Sequence, residues 1–317
     1  MFTRLSIPTP FQIGPVNAYL AGRTLVDPGP GSEEAWTALL DGLERHDLTP
    51  ADIEQVLITH PHPDHFGSAK RLRESGARIV ASTEAAAIVR DFGDRLTYEQ
   101  EYFADFFDRC GMAETTAKTV TDLPEAYLSV APGVETDLEL DDGESVTVEG
   151  VELTAESVQG HSSGETIFTF EHDGRSKAIV GDHVLADITP NPLLQPPAEE
   201  GGRRPRVLPA FNRSLSALRD RDLDYLLPGH REEITDPAGR IDEILAAHEE
   251  RTENVRALVD GPTTAFDVMT ELFGDLPATE YFPGMSEAVG HLDVLEERGE
   301  VNRHEQGGVV VYEGVTQ

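Results

Sequence analysis

The sequence predicts a mixed α/β protein, and three observations carry that prediction. Short runs rich in β-branched residues alternate with stretches of helical hydrophobic spacing through the first half of the chain. A length of 317 residues suits one large domain, or one domain with a small appendage. A hydrophobic share of 38% is enough for a true core, and the long polar connections of a disordered chain are missing.

In chain order, residues 17–21 and 24–27 read as adjacent strands closed by the turn Pro28-Gly29-Pro30-Gly31. Ser32 then caps a helix whose apolar face is Trp36, Leu39, Leu40 and Leu43. Residues 55–59 form a buried strand that runs into a histidine cluster, and 77–81 form another short strand. From about 83 to 134 the pattern turns helical and aromatic, with Phe92, Tyr98, Tyr102, Phe103, Phe106 and Phe107. Those aromatics serve either an amphipathic core helix or a helical insertion walling a substrate pocket. A second strand series covers 145–148, 153–158, 166–170 and 177–181, with His172-Asp173-Gly174 as a hairpin-type turn. Residues 189–209 hold six prolines and two glycines and predict an irregular loop. A last strand, 225–227, ends at Pro228-Gly229-His230. Beyond about Asp236 come three helices, 241–259, 264–273 and 286–298, and a hairpin of 301–304 with 309–312, joined through Gln306-Gly307-Gly308. Three helices and a hairpin make the winged variant of helix-turn-helix.

Charge and composition narrow the setting. The formal net charge is −34, from 59 Asp plus Glu against 25 Lys plus Arg, and only Lys70, Lys118 and Lys177 are lysines. Acid excess with lysine depletion points to a very salty cytoplasm, where a Debye length of about 3 Å at 1 M salt mutes carboxylate repulsion. The alternative is an acidic surface that binds basic partners. A single cysteine, Cys110, excludes a disulfide framework or a multi-cysteine metal site and reads as a small apolar filler. No apolar run reaches membrane-spanning length, and residues 1–13 lack the pattern of a secretion signal, so a soluble cytoplasmic protein is expected.

The sharpest chemical signal is Thr59-His60-Pro61-His62-Pro63-Asp64-His65. Three histidines and an aspartate directly after a buried strand do not belong to core packing. An extended segment puts His60 and His62 on one side, while Asp64 and His65 begin the next helix. Neutral imidazole and carboxylate suit a borderline cation such as zinc, and two ligand sets so close together point to two metals. His161, Asp182 and His230 each follow a predicted strand in the same way, and together with the cluster they make seven N/O ligands.

With these motifs in hand, the chain resembles a metallo-β-lactamase-fold hydrolase over about residues 5 to 235. The family's H-x-H-x-D-H motif matches His60, His62, Asp64 and His65, and its later ligands match His161, Asp182 and His230. The resemblance implies a four-layer αββα sandwich in which His60, His62 and His161 hold one metal and Asp64, His65 and His230 the other, with Asp182 as the bridge. It also implies that Asp27 supports the metal-bearing loop from behind. β-Lactam-hydrolysing members carry a cysteine where this chain has Asp182, so antibiotic hydrolysis is not expected. The tail is similar to the subgroup with a C-terminal winged helix, which includes a lactamase-like mitochondrial endoribonuclease, and more distantly the whole is similar to glyoxalase II. The expected organisation is a hydrolase domain over 1–236 and a winged-helix-like domain over 237–317.

The expected activity is binuclear, zinc-dependent hydrolysis of a small ester or thioester by a hydroxide bridging two ions, with Fe or Mn as substitutes. Asp64 faces the bridging water and can shuttle its proton. His183, beside Asp182, reads first as a structural residue, with donation to substrate or orientation of its neighbour as the alternatives. The basic stretch Arg203, Arg204 and Arg206 either meets an anionic substrate or forms local ion pairs. Endoribonuclease action on single-stranded RNA is the enzymatic alternative, and a nucleic-acid-binding regulator with a dormant metal domain is the non-enzymatic one. From 237 to 317 there are 17 acidic residues against five arginines, so tight duplex binding is not expected. The tail reads instead as a packing or homodimerisation module, with a small molecule as substrate and no membrane partner.

Overall fold

The structure, a computed structural model, describes residues 1–122, 127–199 and 201–315. Positions 123–126 of the stretch predicted helical, and position 200 of the predicted loop, lie outside the described residues. The chain divides into two compact units: Met1–Arg95 with Ala126–Pro190 and Leu218–Ile241, and Leu96–Glu125 with Asn191–Ala217 and Asp242–Gln317.

Two sheets build the first unit. The six-stranded sheet runs in sequence order: β1 (Thr3–Ile7), β2 (Val16–Ala21), β3 (Thr24–Val26), β4 (Gln55–Leu57), β5 (Arg78–Ser82) and β6 (Leu138–Leu140). β1 to β3 pair antiparallel, and β3 to β6 pair parallel. The five-stranded sheet runs β11 (Tyr225–Pro228), β10 (Arg175–Gly181), β9 (Thr166–His172), β8 (Val151–Ser157) and β7 (Ser145–Val148). β8 and β10 each pair antiparallel with β9, and β11 is parallel to β10. The C-terminal ends of β8, β10 and β11 therefore share one edge. The predicted hairpin turn is present: Asp173 and Gly174 have φ of 55° and 69°, the left-handed pair that a two-residue turn of matching twist needs. Strands β1 and β6 escaped sequence reading because each is short and half exposed: β1 buries only Leu5 and Ile7, and β6 only Leu140.

The sheets pack face to face through Tyr19, Val26, Leu57 and Val80 from one and Leu153, Phe168, Phe170 and Ile179 from the other, among further buried residues. The opposite face of the six-stranded sheet is covered by α1 (Glu33–Glu44), α3 (Ala69–Glu74) and α4 (Thr83–Arg90), through Leu39, Leu43, Leu72, Ile88 and Val89. Ser32 Oγ accepts from Ala35 N–H at 3.2 Å, the predicted cap, worth about 1 kcal/mol.

The second unit has its own core, in which Phe103 and Phe107 of α5 (Phe92–Arg109) and Ala117 and Val120 of α6 (Glu114–Asp122) meet Val268, Met285, Val289 and Leu292. Of the aromatic stretch, Phe103 and Phe107 thus lie in this core, whereas Phe92 is buried in the core of the first unit. Cys110 is buried there, and burial pushes its thiol up to about 12, in keeping with a filler. After α7 (Val207–Arg219), the C-terminal stretch runs α8 (Pro237–Leu258), β12 (Thr263–Thr264), α9 (Ala265–Phe273), α10 (Tyr281–Glu297), β13 (Val301–Gln306) and β14 (Val309–Gly314), with sheet order β12-β14-β13. The loop predicted to reach 209 ends before Val207, because Pro209 falls in the first turn of α7, where a missing N–H costs no hydrogen bond. Among the described residues, no helix is long and apolar enough to cross a membrane.

Inside the second unit lies a buried polar chain. His248 Nδ1 faces Asn212 Oδ1 at 2.7 Å, Thr252 Oγ1 lies 2.8 Å from His291 Nδ1, and Glu287 receives Arg251 at 2.7 Å. Burial, only partly offset by Glu287, pushes the His248 imidazole down from 6.5 to about 4. A folded pKa below the unfolded one means that the unfolded chain binds the proton first as pH falls. Stability from this group is therefore complete above about pH 6.5 and is lost as pH falls toward 4, by roughly 3 kcal/mol in all. Unfolding free energies at pH 7 and pH 4.5 should show that loss in the wild type. His248→Gln, which cannot take up a proton, should show a loss smaller by about that amount.

Candidate metal centre

The strand β4 delivers the first donors. His60 and His62 each precede a proline, which excludes the helical region for both and keeps the segment extended. Pro63 then starts the short helix α2 (Pro63–Phe66), with His62 at its N-cap, which turns Asp64 and His65 inward. His161 follows β8, Asp182 follows β10 and His230 follows β11, so four strand ends converge as predicted. Six of the seven donors are buried, and His62 is the partly exposed one.

Their donor atoms form two groups. Those of His60, His62 and His161 lie within 4.8 Å of one another, as do those of Asp64, His65 and His230. In the first trio, His62 Nδ1 sits 3.0 Å from His60 Nε2 and 3.1 Å from His161 Nε2. In the second, His230 Nε2 is 3.3 Å from Asp64 Oδ2. Asp182 Oδ2 lies 3.6 Å from the Nε2 atoms of His65, His161 and His230, and so touches both trios.

Groups behind the rings set which nitrogen is bare. The His230 Nδ1–H donates to Pro15 O at 2.8 Å, since a carbonyl can only accept. The His65 Nδ1–H donates to Asp27 Oδ2 at 2.9 Å. Thr59 spends its hydroxyl proton on Asp27 Oδ2 at 2.7 Å, so its oxygen can accept from His60 Nδ1 at 3.0 Å. All three imidazoles therefore turn an Nε2 lone pair toward the centre, the orientation that metal-binding histidines receive from such partners. Asp27, with His60 and His65, forms a third trio of suitable spacing. Its oxygens already accept from Thr59 N, Thr59 Oγ1 and His65 Nδ1, so it serves as a buttress.

The buried atoms His65 Nε2, His230 Nε2 and Asp182 Oδ1 have no hydrogen-bond partner. Buried polar atoms left without a partner beside these trios are what a divalent cation satisfies, so the donor set fits a metal. The electrostatics agree. Burial and the neighbouring rings hold His60 neutral, and burial pushes His62 down to about 3. Burial opposes charge on His65, yet Asp182, Asp64 and Asp27 outweigh it and raise its pKa. Burial would lift Asp182, but His230 and His65 pull it well below the usual carboxylate range. This end of the centre carries ionised carboxylates that demand positive charge.

Two glycines make room for this packing. A Cβ on Gly229 would stand 2.4 Å from Asp182 Oδ1 and 2.7 Å from His65 Cε1. Gly181 has φ of 49°, and a Cβ there would meet Thr59 Oγ1 at 2.7 Å.

Residues 12–230 match the family described as the Metallo-beta-lactamase superfamily. The chain belongs to this superfamily. It is 31% identical to the "Probable metallo-hydrolase YqjP" of Bacillus subtilis, over 97% of this chain and 96% of that protein. Among solved structures, the metallo-beta-lactamase family protein TTHA1429 of Thermus thermophilus is 30% identical at a TM-score of 0.82, with 99% of this chain and 98% of that one covered. A beta-lactamase domain protein from Burkholderia ambifaria is 26% identical at 0.82, with 99% and 92% covered.

In this metallo-beta-lactamase superfamily member, every predicted ligand position lies at the centre. His183 does not face it through Nδ1, which pairs with Glu165 Oε2 at 3.0 Å. Arg204 pairs with Asp293 at 2.7 and 2.8 Å and Arg206 with Glu296 at 2.6 Å, so these two cations form local ion pairs. Thr59, Pro15, Gly229 and Glu165 were not singled out from sequence. Thr59 and Gly229, each adjacent to a ligand histidine, had a signal in that adjacency; Pro15 and Glu165 act through neighbours remote in sequence or through burial.

Proposed function

We propose that the chain is a metal-dependent hydrolase with a binuclear zinc centre, acting on a small ester or thioester. The single observation that carries this reading is Asp182 Oδ2, set 3.6 Å from imidazole nitrogens of both trios. A bound divalent pair supplies a Lewis acid and a water acidic enough to attack near neutral pH. His60, His62 and His161 would hold one ion, Asp64, His65 and His230 the other, and Asp182 would join them. Asp64, whose Oδ2 lies on the His230 side, takes the proton of the attacking water and returns it to the leaving oxygen or sulfur. Substrate approaches from the side of His62, the most exposed of the seven donors.

The order helix, strand, helix, helix and two strands, with sheet order β12-β14-β13, supports a winged-helix reading of the C-terminal stretch. Its third helix, α10, is a poor nucleic-acid reader. Residues 284–295 are buried, and Glu287, Asp293, Glu296 and Glu297 pair with Arg251, Arg204, Arg206 and Arg213. A helix so engaged offers phosphates neither free cations nor an open face.

The test is hydrolysis by the purified protein in high salt against acyl thioesters, lactones and single-stranded RNA. Turnover of a thioester or lactone should vanish on complete chelation and return with zinc. Turnover that survives removal of all metal contradicts the reading, and turnover of RNA alone moves it to the ribonuclease alternative. The salt-adapted surface carries its own expectation. With a net charge of −34, the melting temperature should rise steadily as KCl goes from low to molar concentration. An unchanged melting temperature contradicts adaptation to salt.

A further inference from the structure

We infer that Glu165 and His183 form a positioning pair that sets how Asp182 faces the His161 loop, and thereby how tightly the chain holds its second metal ion. The inference rests on the binuclear reading above and assigns to it two residues that belong to neither trio.

Asp182 sits on a tight turn. The His183 N–H donates to Val180 O at 3.0 Å, which places Gly181 and Asp182 at the turn's centre and makes His183 the residue that closes it. Gly229 N holds the same turn from the β11 side through Gly181 O at 2.6 Å. The His161 loop closes in a parallel manner. Val158 N donates to Glu165 O at 3.1 Å, Ser82 Oγ donates to Gly164 O at 2.7 Å, and Thr166 N donates to Thr59 O at 2.8 Å. Glu165 is thus the residue that shuts the loop carrying His161, next to a bond that reaches the residue before His60.

One side-chain bond joins the two closing residues. Glu165 Oε2 and His183 Nδ1 are 3.0 Å apart, and neither side chain has any exposed surface. A carboxylate can only accept, so His183 Nδ1 carries the proton and donates it. Burying a carboxylate costs several kcal/mol, which an apolar side chain of similar volume would avoid. Glu165 Oε1 has no hydrogen-bond partner, which adds to that cost. The return lies in geometry: the bond fixes one ligand turn against the other, and with them the 3.6 Å approach of Asp182 Oδ2 to His161 Nε2. Outer partners of this kind typically change metal affinity by roughly ten- to a hundredfold when lost.

Stepwise zinc binding, followed by competition with a chromophoric chelator, tests the pair without reference to turnover. Wild type should take up two ions. Glu165→Leu, which fills the space but cannot accept the bond, should hold the first ion within about threefold of wild type and the second roughly ten- to a hundredfold more weakly. His183→Leu should reproduce this from the other side, and carries the test if the first variant does not fold. The double variant should be no weaker than either single one, since both remove the same bond. Glu165→Gln, whose Oε1 can still accept from His183, should stay close to wild type. Two ions held at wild-type strength by Glu165→Leu would overturn the pair alone. So would a Glu165→Gln variant as weak as Glu165→Leu, because charge and not the bond would then be at work. A wild-type protein that binds only one ion overturns the binuclear reading itself.

Discussion

Replacing Asp182 by asparagine is expected to leave the fold intact and to remove most hydrolytic turnover, by roughly two to three orders of magnitude. The side chains differ by one atom, so packing over Gly229 is preserved. What is lost is an anionic oxygen placed between two trios, at 3.6 Å from three imidazole nitrogens. A neutral amide bridges two cations poorly, and a transition-state contact worth about 3 to 4 kcal/mol corresponds to that loss in rate. Steady-state kinetics with metal analysis checks it. Near wild-type turnover with two bound ions would remove Asp182 from the bridge.

Asp27→Ala should have the largest effect on stability among single changes at the centre. Asp27 is 2% exposed and accepts three hydrogen bonds, from Thr59 N at 2.9 Å, Thr59 Oγ1 at 2.7 Å and His65 Nδ1 at 2.9 Å. Removing it strands a buried N–H and an imidazole whose orientation it sets, at a cost of about 3 to 5 kcal/mol. Its φ of 51° adds strain for alanine, which lacks the local side-chain bonding that lets Asp and Asn occupy that region. Asp27→Asn separates the two roles. It retains an oxygen for Thr59 N and tolerates the backbone, so stability should fall by less. Its –NH2 then stands where Oδ2 stood and cannot accept from His65 Nδ1 or Thr59 Oγ1, so the metal on His65 should still weaken by roughly tenfold or more. Denaturant unfolding of the metal-free proteins, followed by zinc titration, reads both. Equal stability of Asp27→Ala and wild type contradicts the buttress.

The ligand positions were legible because each stands where a strand ends, and because His60, His62, Asp64 and His65 are too dense for a core. The residues behind the ligands were not legible, because their roles depend on partners far away in sequence. Pro15 matters through a carbonyl that meets His230, and Glu165 through an imidazole 18 positions later. The aromatic stretch shows the same limit. Its helical spacing was plain, but only tertiary packing reveals that Phe103 and Phe107 sit in a core with Val289 and Leu292. The basic stretch at Arg204 and Arg206 left two readings open, and the acidic residues of α10 decide between them. The strand β12, two residues long, carries no periodicity to detect.

The central claim is that seven donors make two adjacent metal positions. Metal content combined with anomalous diffraction from crystals of the zinc-loaded protein tests it most directly. Two ions per chain, about 3.5 to 4 Å apart, one against His60, His62 and His161 and the other against Asp64, His65 and His230, are expected. A single ion on His60, His62 and His161, with His65 and His230 turned away from any metal in fully loaded protein, would contradict it.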